Sequence, residues 1–229
     1  MEDYATNLAA VRAAITAASD RARRDPKTIE LIAVSKKHPS SALSTLAGLG
    51  HRTFGENYAQ ELVAKATELA DLNLRFVFIG ALQSNKIKLL VQHAAEIQTV
   101  ASASHAAAIA GAALTYGKTP YPVYIAVNAG GEAQKHGVTT VEVPALALAI
   151  KAFPELHLRG IMSIPPPLPE PVSALPTKLY LELAALAKTV GDGGLSLGMS
   201  QDLMPAIAAG STCVRIGTAI FGERSPKSI

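Results

Sequence analysis

Short apolar runs alternate with amphipathic stretches along the whole 229-residue chain. The stretches place apolar residues three and four positions apart, which is typical of helices. The runs are continuous in apolar residues, as in strands that are buried on both faces. They occupy residues 31–36, 52–57, 75–80, 96–101, 121–128, 157–164, 195–199 and 213–218. This regular alternation predicts an α/β fold, a single (β/α)8 TIM barrel, with a doubly wound parallel sheet as the alternative.

The helices have recognisable starts and ends. Residues 3–24 predict the first helix, and Ser84 is the expected N-cap of a helix that runs to Gln92. Residues 165–176 hold six prolines, so they predict an irregular loop. No linker or change of composition marks a second domain, and residues 1–229 are therefore predicted to form one domain.

Composition limits the classes of function. The chain is 49% hydrophobic and 17% charged, which is ample for a folded core. The net charge is +3, and the positive residues are scattered along the chain, which disfavours a nucleic-acid partner. A lone cysteine, Cys213, excludes an intramolecular disulfide, and no histidine spacing is typical of a metal site. Without a signal peptide or a membrane-spanning run, a cytoplasmic protein is expected.

Lys36 is the first candidate for chemistry. It ends the strand Leu31–Lys36, where alternation places it on the same face as Ile32 and Val34. An apolar surround disfavours the ammonium and would depress the pKa of the amine, which suits Schiff-base formation. The alternative is a lysine at a strand end that simply reaches solvent.

Other polar residues follow the later strands. In such a barrel the carboxyl ends of the strands form one mouth, and phosphate commonly binds after strands seven and eight. The strand-end residues are Asn57, Asn128, Met162, Ser163, Ser200, Gly217 and Thr218. We expect a phosphate monoester near the last three, because a helix start and a glycine backbone favour an anion. The alternatives are a plain helix N-cap at Ser200 and ordinary turn residues at Gly217 and Thr218.

Arg215 is expected to point into the barrel, because it shares a strand face with Cys213 and Gly217. A buried guanidinium needs a partner, either a carboxylate or an acceptor on a ligand. Glu56, at the end of the second strand, is the candidate carboxylate for a structural ion pair with Arg215. Cys213 is expected to lie deeper, as a core residue rather than a nucleophile.

Five motifs together resemble one family, the pyridoxal-phosphate homeostasis proteins, whose barrel is similar to the N-terminal barrel of alanine racemase. The resemblance extends from about Leu31 to Gly222 in the same order and spacing. The motifs are Ala33-Val34-Ser35-Lys36, Phe54-Gly55-Glu56-Asn57-Tyr58, Phe78-Ile79-Gly80-Ala81-Leu82-Gln83-Ser84-Asn85-Lys86, Gly198-Met199-Ser200 and the run from Ala206 to Gly222.

The resemblance implies a bound cofactor, pyridoxal 5'-phosphate (PLP), in a covalent aldimine with Lys36. Ser200, Gly217 and Thr218 would hold the phosphate, and Arg215 would face the pyridine nitrogen. An arginine can only donate, so that nitrogen would stay unprotonated and the cofactor would be a poor electron sink. The implied cofactor-binding residues are Lys36, Asn57, Met162, Ser200, Arg215, Gly217 and Thr218. The chain departs from the usual family pattern around residues 130–137, which leaves the role of Lys135 open.

Three functions remain open at this point. The first is a non-catalytic, monomeric handler of PLP that sequesters, buffers or delivers it to apoenzymes through transient contacts. The second is an amino-acid racemase, which needs two bases. In the racemase fold one of these bases is a tyrosine from an additional β-domain, whereas this chain ends seven residues after Gly222. The third is a sugar-phosphate isomerase or aldolase in which Lys36 attacks a carbonyl.

Overall fold

Eight parallel strands close into a barrel in the order of the sequence, with β8 paired to β1. The computed structural model describes residues 3–131 and 136–222. The strands are β1 (Glu30–Val34), β2 (Thr53–Glu56), β3 (Arg75–Phe78), β4 (Glu96–Val100), β5 (Tyr121–Val127), β6 (Leu156–Ser163), β7 (Gly194–Ser196) and β8 (Cys213–Ile216). The predicted barrel is therefore confirmed, and all eight predicted strands are present.

Helices surround the barrel. They are α1 (Tyr4–Arg21), α2 (Ser40–Gly48), α3 (Ala59–Glu68), α4 (Ile87–His93), α5 (Ala103–Thr115), α6 (Val143–Lys151), α7 (Lys178–Ala187), α8 (Leu203–Ala209) and α9 (Thr218–Phe221). The short α9 was not expected from the sequence pattern. Within the described residues, no helix combines the length and the apolar character that crossing a membrane requires.

Each strand is buried on both faces, which explains the continuous apolar runs. The outer faces join the helices in the main core, as Ala33, Phe54 and Ile216 do. A second, smaller apolar cluster fills the barrel itself, with Ile32 and Cys213 among its members. The predicted core position of Cys213 is thus confirmed.

All eight strands end one to three residues earlier than predicted, and the start of α4 also differs. β1 ends at Val34 rather than at Lys36, because the chain turns there and the His38 N–H donates to the Ser35 carbonyl at 3.1 Å. A 3-10 turn at residues 84–86 precedes α4, so Ser84 is not an N-cap. β7 ends at Ser196, three residues earlier than predicted.

The buried Cys213 gives the first testable prediction. Burial raises the pKa of its thiol to about 12, so almost no thiolate forms near neutral pH, and the thiolate is the reactive species. We expect the native protein to react with a thiol reagent at pH 8 at least about a hundredfold more slowly than the denatured protein. Labelling kinetics with and without denaturant measure this ratio. Equal rates would contradict the placement of Cys213 inside the barrel.

Candidate functional site

A cleft of about 580 Å³ opens at the carboxyl ends of the strands, the end expected for a functional site. A second compartment of about 310 Å³ adjoins it. The two compartments share Asn57, Ile79 and Ile164 in their walls. Together they form one continuous depression over the mouth of the barrel.

Most of the predicted site residues meet at this mouth. The larger cleft is lined by Lys36, Asn57, Ser200, Arg215, Gly217 and Thr218. Met162 lines the smaller compartment, together with Asn128. The structure therefore brings all seven predicted binding residues to one place, and their contacts with a cofactor stay a prediction. Lys135 lies outside the described residues.

Lys36 lies in a tight turn, residues 35–38, which we call the lysine turn. Its side chain is half-buried in the cleft wall beside Val34, the last residue of β1. The next residue, Lys37, has a φ of 65°, a left-handed backbone conformation that is uncommon for residues other than glycine. The turn thus replaces the predicted last residues of the strand and directs Lys36 over the mouth.

Asn57 follows β2 and separates the two compartments. Gly80, at the end of β3, packs directly on its backbone: a Cβ atom at Gly80 would lie 1.9 Å from the Asn57 carbonyl oxygen. Only glycine fits at that position, which explains the glycine of the Phe78-Ile79-Gly80 motif. The Oδ1 atom of Asn57 is buried and has no hydrogen-bond partner within the described residues. Such an atom is expected where a ligand supplies the missing donor.

Ser200 is exposed in the segment between β7 and α8. The N-cap position of α8 belongs to Asp202, whose Oδ1 accepts the Met199 N–H at 2.6 Å. The Tyr180 hydroxyl donates to the other oxygen of Asp202. Ser200 is therefore not the helix cap that the sequence allowed, and its hydroxyl lines the cleft instead.

Gly217 and Thr218, which follow β8, also line the cleft. The Gly217 carbonyl accepts the N–H groups of Ile220 and Phe221, both at 2.9 Å, and so begins α9. The first N–H groups of a helical turn have no acceptor within the helix. The backbone at Thr218 and Ala219 is therefore available to an anion in the cleft.

Arg215 points into the barrel mouth, as predicted. One nitrogen of its guanidinium donates to the Ser196 hydroxyl at 2.6 Å, and another donates to the Ser163 carbonyl at 2.8 Å. Burial lowers the pKa of Arg215 from its ordinary value, although an arginine still stays protonated in proteins. Because a guanidinium has five N–H donors, others remain for a ligand at the mouth.

The predicted ion pair between Arg215 and Glu56 is wrong. Glu56 points to the outer side of the barrel, where its Oε1 binds the Lys65 ammonium at 2.7 Å. The reason is strand alternation: Gly55 faces the barrel interior, against Ile32 and Val34, so Glu56 must face α3. Burial raises the pKa of Glu56, and the charge of Lys65 opposes that rise.

A chain of hydrogen bonds supports Arg215 instead. The Ser196 hydroxyl donates to Gln98 Oε1 at 2.7 Å, and Gln98 donates to Glu96 Oε1 at 2.7 Å. The other oxygen of Glu96 accepts from Arg75 at 2.7 Å. The three bonds from Arg215 through Ser196 and Gln98 run in one direction and end at the buried Glu96 carboxylate. Arg75 pairs with Glu30 as well as with Glu96.

Sequence reasoning missed several of these residues. Gln98 and Ser196 hold Arg215 in place, and His38, Met199, Gln201 and Gly222 also line the cleft. One signal was available, since Glu96 and Gln98 are polar residues two apart on a strand and must share a face. The loop residues carried no such signal, because no periodicity relates a loop to the barrel axis.

The chain matches the family model "Alanine racemase, N-terminal domain" over residues 6–225. It is 42% identical over 224 residues to the pyridoxal phosphate homeostasis protein of Pseudomonas aeruginosa, covering 98% of this chain and 97% of that protein. It is 43% identical over 230 residues to the Escherichia coli protein of the same name, covering 98% of each.

Solved structures agree with this. PipY of Synechococcus elongatus is 30% identical, with TM-scores of 0.81 without PLP and 0.76 with PLP bound, covering 96% of this chain and 100% of PipY. Alanine racemase of Clostridium difficile shares the fold, at 15% identity and a TM-score of 0.68; the match covers 99% of this chain and 58% of the racemase. A barrel with this mouth and relatives at this identity over almost its whole length together show that the chain belongs to the pyridoxal phosphate homeostasis protein family.

Proposed function

We propose that this chain binds PLP in the cleft at the barrel mouth and takes part in PLP homeostasis by sequestering, buffering or delivering it. Lys36 would hold the cofactor as a covalent aldimine, in which the lysine amine and the aldehyde condense with loss of one water. Residues 1–229 would act as one monomeric binding domain. The only partners beyond PLP would be apoenzymes that meet the protein transiently.

One observation carries this proposal: an amine, a guanidinium and an anion-binding wall converge in one cleft. Lys36, Arg215 and the Gly217–Thr218 backbone all line it. Its volume of about 580 Å³ is within the range of ligand sites that hold a molecule the size of a cofactor. The unpartnered Asn57 Oδ1 adds an acceptor for a ligand donor. PLP-bound PipY, 30% identical to this chain, supports the same assignment.

Arg215 favours handling of the cofactor over catalysis with it. Bound PLP supplies an aldehyde for imine formation and a ring that can accept electrons when its nitrogen is protonated. A guanidinium facing that nitrogen can only donate, so it keeps the nitrogen unprotonated. We therefore propose that the site holds the aldehyde and does not promote loss of a proton from an amino acid.

A transfer experiment tests this function. The protein is loaded with PLP, freed of excess cofactor by gel filtration, and mixed with an apoenzyme that depends on PLP. We expect the activity of the apoenzyme to return in proportion to the loaded protein added. The unloaded protein, carried through the same steps, is the control. No binding of PLP during loading would contradict the proposal, whereas binding without recovery of activity would exclude delivery and leave sequestration.

The racemase alternative needs a second base on the opposite face of the cofactor. All six tyrosines lie within the described residues, and none lines either compartment. Tyr180 is not available as this base, because its hydroxyl donates a hydrogen bond to Asp202 and burial raises its pKa. An assay with alanine and serine is expected to show no racemisation above that of free PLP, and clear turnover would overturn our choice.

A further inference from the structure

A cluster of three charged residues lies behind the lysine turn, on the outer side of the barrel. The Lys65 ammonium, on α3, contacts Glu56 Oε1 and Glu61 Oε1, both at 2.7 Å. Lys65 is 4% exposed and Glu56 is 0% exposed, while the Glu61 side chain is 22% exposed. We call these three residues the Lys65 cluster.

The cluster binds both peptide groups that flank the Lys36 Cα atom. On one side, the Lys65 ammonium donates to the Ser35 carbonyl at 2.7 Å. On the other side, the Lys37 N–H donates to Glu61 Oε1 at 2.5 Å. The Ser35 hydroxyl adds a third bond, to Glu56 Oε1 at 2.6 Å. With the peptides on both sides held, the direction of the Lys36 side chain is fixed.

Packing alone does not account for this arrangement. Taking a lysine and a glutamate out of water is unfavourable, and an apolar pair of similar volume often stabilises a protein equally well. The left-handed conformation of Lys37 is a further unfavourable feature. The hydrogen bonds that offset these two unfavourable features include bonds from Lys65 and Glu61 to the backbone of the lysine turn.

We propose that Lys65, Glu61 and Glu56 are positioning residues that aim the Lys36 amine at the aldehyde carbon of the bound cofactor. This inference rests on the proposed function of Lys36. Condensation of an amine with an aldehyde depends on holding the two groups in a reactive geometry, which a fixed turn provides. None of the three residues lines the cleft. Lys65 and Glu61 therefore act through the backbone at residues 35 and 37, and Glu56 acts through the Ser35 hydroxyl and Lys65.

Glu61→Ala is the variant of choice, because Glu61 is partly exposed and its loss leaves Lys65 paired with Glu56. The matched control is Glu68→Ala. Glu68 lies on the same helix and accepts a hydrogen bond at 2.6 Å from Ser40, a residue outside the lysine turn. Both variants remove one carboxylate that links α3 to the chain after β1, and both should fold.

The first readout needs no cofactor. Amide hydrogen exchange at Lys37 is expected to become about tenfold faster in Glu61→Ala than in wild type, because its N–H loses a charged acceptor, and to stay unchanged in Glu68→Ala. An unchanged exchange rate at Lys37 in Glu61→Ala would show that Glu61 does not hold the lysine turn, whether or not PLP binds.

The second readout is the fraction of bound PLP that is in the imine form, measured from the visible spectrum at saturating PLP. We expect the equilibrium constant for imine formation to fall about tenfold in Glu61→Ala. Hydroxylamine should also remove PLP from this variant faster than from wild type. Glu68→Ala should match wild type. If wild type forms the imine and both variants match it, the positioning role is wrong while the proposed function stands; if wild type forms no imine, both are wrong.

Discussion

Lys36→Ala is expected to abolish the visible imine band that forms when PLP is added to the wild-type protein. The substitution removes the amine that lines the cleft, while the residues proposed to hold the phosphate remain. Binding should therefore persist in a weaker, non-covalent form. We expect the apparent Kd for PLP to rise at least about tenfold, or about 1.4 kcal/mol. Absorbance and fluorescence titrations measure the band and the Kd.

Lys37→Arg is the control for this prediction. Lys37 is the neighbouring lysine, its side chain is exposed, and arginine keeps its charge while losing the ability to form an imine. The variant should titrate like wild type. An imine band that survives in Lys36→Ala but disappears in Lys37→Arg would show that Lys37, and not Lys36, forms the imine.

Arg215→Met is expected to have the second largest effect on cofactor binding. It removes the buried guanidinium at the barrel mouth, whose charge-assisted hydrogen bond to a ligand would contribute about 1.5–3 kcal/mol. The Kd for PLP should rise about ten- to a hundredfold. The ring nitrogen would also be free to gain a proton, so the pH dependence of the imine spectrum should change.

Arg24→Met separates this effect from a general loss of stability. The Arg24 guanidinium also bonds to two acceptors, the carbonyls of Ile207 and Ser211, at 2.8 and 2.6 Å. It does not line the cleft. We expect a lower free energy of unfolding with an unchanged Kd for PLP. Equal losses of affinity in the two variants would show that Arg215 acts only through stability.

The sequence predicted the barrel because its strands are buried on both faces. Ile32 packs inside the barrel and Ala33 packs against the helices, so residues 31–34 of β1 are all apolar. Eight such runs with helices between them admit few other folds. Because strand ends meet at one mouth in such a barrel, the sequence also predicts that Lys36, Ser200 and Gly217 lie together.

Side-chain partners were less predictable. Glu56 is the last residue of β2 and Arg215 the last but one of β8, yet they point to opposite sides of the barrel wall, because side chains alternate between the faces of a strand. Lys65 carried a usable signal, since it lies three residues after the buried Leu62 and on the same face of α3. A lysine on the apolar face of a helix indicates a buried acidic partner.

Local turn geometry could not be deduced from the pattern either. Strand alternation alone carried the prediction of β1 to Lys36, whereas the chain turns after Val34. The left-handed residue that makes this turn possible is a lysine, not the glycine that usually marks such a position. The turn has tertiary contacts with Glu61 and Lys65, which lie beyond α2 and β2, 24 and 30 residues from the groups that they bind.

The central claim is that Lys36 is the residue that binds PLP covalently. The most direct test is borohydride reduction of the wild-type protein with one equivalent of PLP, followed by peptide mass mapping. Our account predicts a single reduced adduct on the peptide that contains Lys36. Label scattered over exposed lysines, or no label at all, would contradict it.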